Sequence, residues 1–344
     1  MRILVTGLGT FWGSRLAQHL EQQPGVELVV GVDTREPRLP LEKTEFVRAD
    51  SSYSILQRIV HATQVDTILH THLVVDSTEV SGRALHEVNV IGTMNLLAAA
   101  GAAGSPVRKV VLKSSTLVYG SNYEDPYWFR EETPRTKSPS TRVERSLLEV
   151  AGVVRDFAED NPHVVVTKLR FANVLGQDVE TTFSRILRKP AVPEILGFDP
   201  RLQFVHEDDV TGALAYATLN DVAGVYNVAG DGALPWSEVC TIMGKRRVAM
   251  PPVFTGWAAE PLRLARVLDL PPELLALLRY GRAVDNARYK QAGYRYEHTT
   301  LSTVHDFARR LRLESTVGRA PAYEYERDVE AFFRHSPAVV RDET

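Results

Sequence analysis

ILVTGLGTFWG, residues 3–13, is the stretch whose reading decides the fold. An aliphatic, β-branched run ends at Gly7, two further glycines follow at 9 and 13, and residues 12–23 then carry apolar side chains at helical spacing. A strand that passes through glycines straight into a helix presents unpaired helix-start N–H groups, the arrangement that holds a phosphate. Gly7 is expected to allow the tight turn and Gly13 the close packing of helix on strand. Gly9, Thr10, Phe11 and Trp12 complete the loop.

The same alternation continues outward. ELVVGVD (27–33), EFVRAD (45–50), DTILHTH (66–72), KVVLKSS (109–115) and VVVTKLRF (164–171) read as strands, separated by helical patterns at 52–63, 80–103 and 140–159. Repeated strand and helix predict an α/β fold, a doubly wound parallel sheet of the Rossmann type with a smaller C-terminal substrate-binding part. The cofactor domain is expected over 1–171, with 204–232 returning to it. An interleaved substrate or lid domain follows over 172–320, and a charged tail over 321–344. The proline-rich segment 189–204 reads as loops, 208–219 as a helix, 224–230 as a strand and 256–278 as a helical stretch broken at Pro271–Pro272.

Asp33 ends the second strand, where a carboxylate bonds adenosine ribose hydroxyls and repels a 2′-phosphate. NAD is therefore favoured over NADP, for which Arg35 is the remaining argument. Asp50, ending the third strand, is placed to accept the adenine amino group. A net charge of -3 and a pI near 6.4 give no electrostatic case for nucleic acid or an anionic membrane. No run approaches the roughly 20 apolar residues of a membrane span, and no leader pattern opens the chain, so a cytoplasmic location is expected. The single cysteine, Cys240, excludes an internal disulfide and reads as a small buried hydrophobe.

Six segments, the opening loop among them, carry a family resemblance. TGLGTFWG (6–13), VNVIGTMNLL (88–97), SSTLVYG (114–120), LRFANVLG (169–176), FVHEDDV (204–210) and VYNVAGDG (225–232) fall in the order and spacing of the extended short-chain dehydrogenase/reductases. Within them the chain resembles the nucleotide-sugar epimerase/dehydratase branch over about residues 1–310. The resemblance implies NAD as cofactor, held by the glycine loop, Asp33, Asp50–Ser51, Thr71–His72 and Asn89. It implies that Ser115 orients a substrate hydroxyl and that Asn173 meets the diphosphate of a nucleotide sugar. It also implies a homodimer through the helices at 80–103 and 140–159.

The departures are as informative. Thr10 stands at the loop's middle glycine, and His72 at a place usually given to a small residue. The diphosphate arginine falls on Leu202, leaving Arg201 next to it, with Arg279 and Arg282 as alternatives. The proton-transferring YxxxK pair aligns with Thr141 and Arg145. A threonine is no usable base, and arginine stays protonated, although Arg145 retains the lysine's task of bonding the nicotinamide ribose. Candidates for a replacement are His72, favoured for its ordinary pKa near 6.5, and Tyr119, Tyr123 or Tyr127. Three readings follow: an NAD-dependent enzyme with a substituted acid/base, a non-catalytic NAD- or nucleotide-binding regulator, and a scaffold.

Overall fold

The computed structural model describes residues 1–77, 80–252 and 270–317. In chain order, the first half forms β1 (Arg2–Thr6), α1 (Phe11–Leu20), β2 (Leu28–Asp33), β3 (Glu45–Arg48), α2 (Tyr53–Thr63) and β4 (Thr67–His70). It continues with α3 (Gly82–His86), a π turn (Glu87–Ile91), α4 (Gly92–Ala100), β5 (Lys109–Ser115), a 3-10 turn (Thr116–Tyr119), α5 (Arg142–Asp160) and β6 (Val165–Phe171). Then come β7 (Asn173–Leu175), α6 (Thr182–Arg188), β8 (Ala191–Ile195), β9 (Arg201–Leu202), β10 (Phe204–His206), α7 (Glu207–Leu219) and β11 (Gly224–Val228). The last described elements are β12 (Leu234–Pro235), α8 (Trp236–Ile242), β13 (Arg246–Met250), α9 (Pro272–Tyr280), α10 (Ala287–Gln291) and α11 (Thr300–Val317).

Seven strands form one parallel sheet in the order β11-β6-β5-β4-β1-β2-β3. Alternation along each strand sends side chains to two cores. Leu4, Val30, Ile68, Val110 and Leu112 meet Leu56, Leu96 and Leu147 on one face. Ile3, Val5, Val29, Leu69 and Val111 meet Leu16, Leu20, Ala213 and Tyr289 on the other. Both faces are covered, which is why these strands read as nearly continuous apolar runs. The chain leaves β1 toward β2 and β3 and returns on β1's other side with β4, so a crevice opens at the carboxyl ends of β1 and β4. Register places Thr6 opposite Val32 and His70, and Ser115 opposite Phe171, which lines Gly7, Asp33, Thr71 and Ser115 along that one edge.

A third cluster, including Leu175, Phe183, Phe204, Trp236, Leu274 and Phe307, holds the C-terminal elements together. Here the reading of 189–204 as loops is corrected. β8 pairs in parallel with β13, and β9 pairs antiparallel with β12. Proline is tolerated because these are two-stranded pairings, where a missing N–H leaves no central ladder broken. Pro193 instead offers its carbonyl oxygen to Trp236 Nε1 at 2.8 Å. The stretch expected near 256–278 is described from residue 270 onward, with Pro272 opening α9 at the position where a missing N–H is harmless. Residues 253–269 and the charged tail lie outside the described residues. Cys240 is buried, and burial pushes its thiol up to about 12. Among the described residues, no helix is long and apolar enough to cross a membrane.

Two glycines give opposite tests of this packing. A Cβ at Gly13 would sit 2.1 Å from the Gly7 carbonyl oxygen, whereas one at Gly152, inside α5, would meet nothing within 4 Å. Gly13→Ala is expected to lower stability by about 1–3 kcal/mol and Gly152→Ala to raise it by about 0.4–1 kcal/mol, both read from urea midpoints at unchanged slope.

Candidate active site

The glycine loop turns at Gly7, whose φ of 78° is the left-handed region that favours glycine. Thr10 is the N-cap of α1: its Oγ1 accepts the N–H of Gly13 at 3.1 Å and donates to the Gly7 carbonyl at 2.7 Å. The hydroxyl thus closes a loop that the sequence alone left strained. Asp33, buried, accepts the Gly9 N–H on Oδ2 at 3.0 Å and the Arg35 N–H on Oδ1 at 2.9 Å. Among the described hydrogen bonds, the N–H groups of Phe11 and Trp12 receive no partner. These two helix-start donors fit a pyrophosphate, and Asp33 keeps further lone pairs for ribose hydroxyls. Arg35 and Arg38 close over Gly9, with Arg38 Nε on the Gly9 carbonyl at 3.2 Å. Asp50 is exposed beside the carboxyl ends of the strands and accepts the Ser52 N–H, and the Ser51 carbonyl is held by Asn95.

Three expectations for this end are corrected by burial and saturation. Asn89 has no exposed surface, and its amide bonds both backbone groups of Val74 at 2.8 Å and Ser146 Oγ at 3.1 Å. It holds the loop after β4 and leaves no exposed surface of its own. Thr71 is buried with its hydroxyl on the Thr6 carbonyl at 2.8 Å. His72 packs on Gly7, and the charges that act on it are Asp33 and Arg35, which sets it beside the carboxyl end of β2. Burial moves its pKa below the ordinary value, against the opposing field of Asp33. Its neighbour His70 bridges Thr6 Oγ1 at 2.5 Å and Thr93 Oγ1 at 3.0 Å, and burial lowers its pKa to about 3.

Ser115 ends β5 and caps the 3-10 turn, accepting the Leu117 N–H at 3.2 Å while its own proton stays available to donate. Thr141 is the N-cap of α5: Oγ1 accepts the Glu144 N–H at 3.1 Å. Glu144 reaches back to the Ser140 N–H at 2.9 Å and pairs with Arg135. The pattern Thr141-x-x-Glu144 is thus a capping arrangement that starts α5. Arg145, one turn on, is exposed; its N–H donates to the Thr141 carbonyl at 3.1 Å, and its side chain makes no ion pair or hydrogen bond among the described residues. Tyr119 is no free base. Its hydroxyl donates to Asn227 Oδ1 at 2.8 Å, accepts from Arg170 at 2.7 Å, and is pushed up by burial. Tyr123 and Tyr127 lie exposed on the rim.

On the C-terminal side, Asn173 Nδ2 donates to the Gln203 carbonyl at 2.9 Å, which leaves its second hydrogen free for a ligand. Leu202 is buried in the core, while Arg201 points outward with its guanidinium 5.4 Å over the Tyr127 ring. Arg279 packs over Phe198 and Tyr280. Arg282 is corrected as a diphosphate contact: it is buried, bonds the Gly120 carbonyl at 3.0 Å, and burial lowers its pKa to about 10. Sequence reasoning missed a polar cluster across the cleft. Asp76 and Ser77, after β4, meet Thr182 and Arg185 of α6 and Glu273 of α9. Only the helix-start position of Glu273, behind two prolines, was visible in advance, and helix starts carry acids routinely.

Two outcomes are expected. Thr141→Ala should cost about 0.5–2 kcal/mol in urea unfolding, as loss of a helix cap does. His70 has a depressed pKa in the fold, so the unfolded chain binds the proton first. Its contribution is present above pH 6.5 and is lost as the pH falls toward 3. The stability advantage of wild type over His70→Gln, followed by urea titrations, should shrink across that window.

Comparison with known proteins bears on this geometry. The model of the NAD dependent epimerase/dehydratase family matches residues 3–229. An uncharacterized protein of Mycobacterium tuberculosis is 37% identical over 314 residues, covering 89% of this chain and 83% of its own. The UDP-glucose 4-epimerase of Erwinia amylovora is 26% identical over 187 residues, covering 51% of this chain and 54% of that one. Among solved structures, the Thermotoga maritima UDP-glucose 4-epimerase with UDP-glucose superposes with a TM-score of 0.69 at 19% identity, covering 91% of this chain and 99% of that one. The Bacillus cereus UDP-glucuronic acid 4-epimerase in complex with NAD gives 0.70 at 17% identity, covering 93% and 99%. A glycine loop capped on α1, an aspartate ending β2 and a serine ending β5 thus stand in the frame that this family model describes, and the chain belongs to the NAD dependent epimerase/dehydratase family.

Proposed function

We propose that the chain binds NAD and a nucleotide sugar and acts as an atypical oxidoreductase or epimerase whose acid/base is replaced. The observation that carries this reading is the coexistence of an intact cofactor cradle with a rebuilt α5 start. The Phe11 and Trp12 N–H groups and the Asp33 carboxylate fit a dinucleotide, while Thr141 has become a cap. When bound, NAD supplies a reversible acceptor for the hydrogen of a carbinol carbon. The protein's own residues do the rest. Ser115 donates to a substrate hydroxyl and fixes its direction, and Arg145, unpaired in α5, reaches a ribose hydroxyl. Asn173 offers its free hydrogen, and Arg201 its charge, to a diphosphate.

In this reading residues 1–171 with 204–232 form the cofactor domain, and 172–320 the substrate domain, in a cytoplasmic protein. A homodimer through the helices at 80–103 and 140–159 is part of it, supported by Ile91 and Met94 in the first of these segments, which are exposed. A second reading, a regulator that binds NAD or a nucleotide without turnover, is favoured by the capped Thr141 and the saturated Tyr119.

Thermal melts with NAD separate these from a scaffold. A ligand at 100 times its Kd stabilises by about 2.7 kcal/mol, so NAD should raise the Tm, and Asp33→Ala should abolish the rise. No rise with either NAD or NADP at millimolar concentration rules out both ligand-binding readings. Turnover of UDP-glucose, UDP-glucuronic acid or dTDP-glucose, followed as NADH absorbance or sugar interconversion, then decides between enzyme and regulator.

A further inference from the structure

Glu273 sits at the second helical position of α9 and is only 7% exposed. Its carboxyl lies against two segments at the cleft: the loop after β4, through Ser77, and the start of α5, through Thr141. Ser77 Oγ donates to Oε2 at 3.0 Å. The Thr141 side chain stands close enough to favour the charged form, yet Oε1, sealed from solvent, closes no hydrogen bond. A buried carboxylate oxygen without a partner is costly and calls for a function.

Its location supplies one. Position 141 is where the family's phenol would stand, and threonine is shorter by a whole aromatic ring. Glu273 brings an ionisable oxygen from a different element to that same place. We propose that Glu273 is the acid/base of this site, its carboxyl taking the proton of a sugar hydroxyl and returning it. This rests on the reading of the chain as an NAD-dependent enzyme of nucleotide sugars. The balance closes: the O–H bond breaks, the proton goes to the Glu273 carboxylate, and the hydrogen of the same carbon leaves with its bonding pair to the dinucleotide oxidant. The sugar carbon becomes a carbonyl, and the reverse transfer restores the alcohol.

The surroundings suit a group that must be ionised to accept and protonated to donate near neutral pH. Burial is the largest influence and pushes the carboxyl upward from the ordinary glutamate value, and the Asp76 carboxylate adds to it. Opposing them are the backbone at the start of α9 and the Ser77 and Thr141 side chains. Arg185 of α6 pairs with Asp76 and tempers its field. Thr182 holds the same Asp76 oxygen.

The test compares wild type, Glu273→Gln and Glu273→Asp, each first checked for an unchanged Tm and an unchanged NAD-induced shift. Glu273→Gln keeps the shape and can keep the Ser77 bond. Its kcat on UDP-glucose, UDP-glucuronic acid or dTDP-glucose should fall by roughly 10²–10⁴-fold, with KM changed by less than about threefold. The acidic limb of the wild-type kcat profile should vanish with it, and Glu273→Asp should restore part of the rate. Independently of turnover, the infrared carbonyl band of a protonated carboxyl should titrate in wild type, shift when the nucleotide sugar binds, and be missing from Glu273→Gln. Turnover by Glu273→Gln within about threefold of wild type overturns the assignment and leaves the enzyme reading standing. Where none of the three sugars turns over, an infrared band indifferent to all of them overturns it equally. Wild type that fails to bind NAD removes the underlying reading as well.

Discussion

The Gly7 carbonyl oxygen occupies the space that any side chain at position 13 would need, and this contact sets the distance between α1 and the sheet. Every later feature of the cofactor edge follows from it. With α1 seated that low, its first N–H groups emerge at the crevice between β1 and β4. Asp33, at the end of the adjacent strand, can then reach back to the Gly9 N–H. Thr10 adds a hydroxyl that holds the turn from within, taking the Gly13 N–H and giving its own proton to Gly7. Replacing a glycine with threonine at this position therefore trades backbone freedom for a side-chain lock. The price is one helix-start donor that no ligand can use.

A comparable trade is visible at α5. Threonine and asparagine-like side chains are favoured at helix starts because their oxygen satisfies an orphan N–H three residues on. Thr141 does this for Glu144, and Glu144 binds Ser140 and Arg135 in turn. Thr141 thus gives the helix a firm beginning. In the proposed reading, an ionisable group for this place comes from a residue distant in sequence. The loop after β4, α6 and α9 converge on that place with two carboxyls, two hydroxyls and a guanidinium.

What the sequence made legible was whatever depends on neighbours along the chain. The strands from Ile3 to Phe171 were readable because burial on both faces leaves continuous aliphatic runs, and Gly7 and Gly13 because a strand-to-helix turn demands them. Their Asp33 partner follows from the same unit. What stayed hidden depends on contacts across the fold. Asn89 was expected at the cofactor from the resemblance of its motif, and only the π turn and the Val74 backbone show its amide to be fully engaged. Arg282 looked free, since nothing local announces the Gly120 carbonyl 162 residues away. β8 was masked by its prolines, because its partner β13 lies some fifty residues later and carries no strong pattern of its own. Glu273 and Asp76 lie nearly two hundred positions apart, so their encounter has no signature in either segment.

Cys240 has a consequence for how this molecule can be observed. It is the only thiol in 344 residues, it is packed among Val239, Trp236 and Phe307, and burial keeps it protonated far above neutral pH. Thiol-directed reagents therefore meet a chemically silent background. A single cysteine placed on exposed Tyr53 or Leu301 carries a spectroscopic label by itself, without first engineering the native residue away. Distances between the sheet and the C-terminal elements become measurable in the protein with its own core intact.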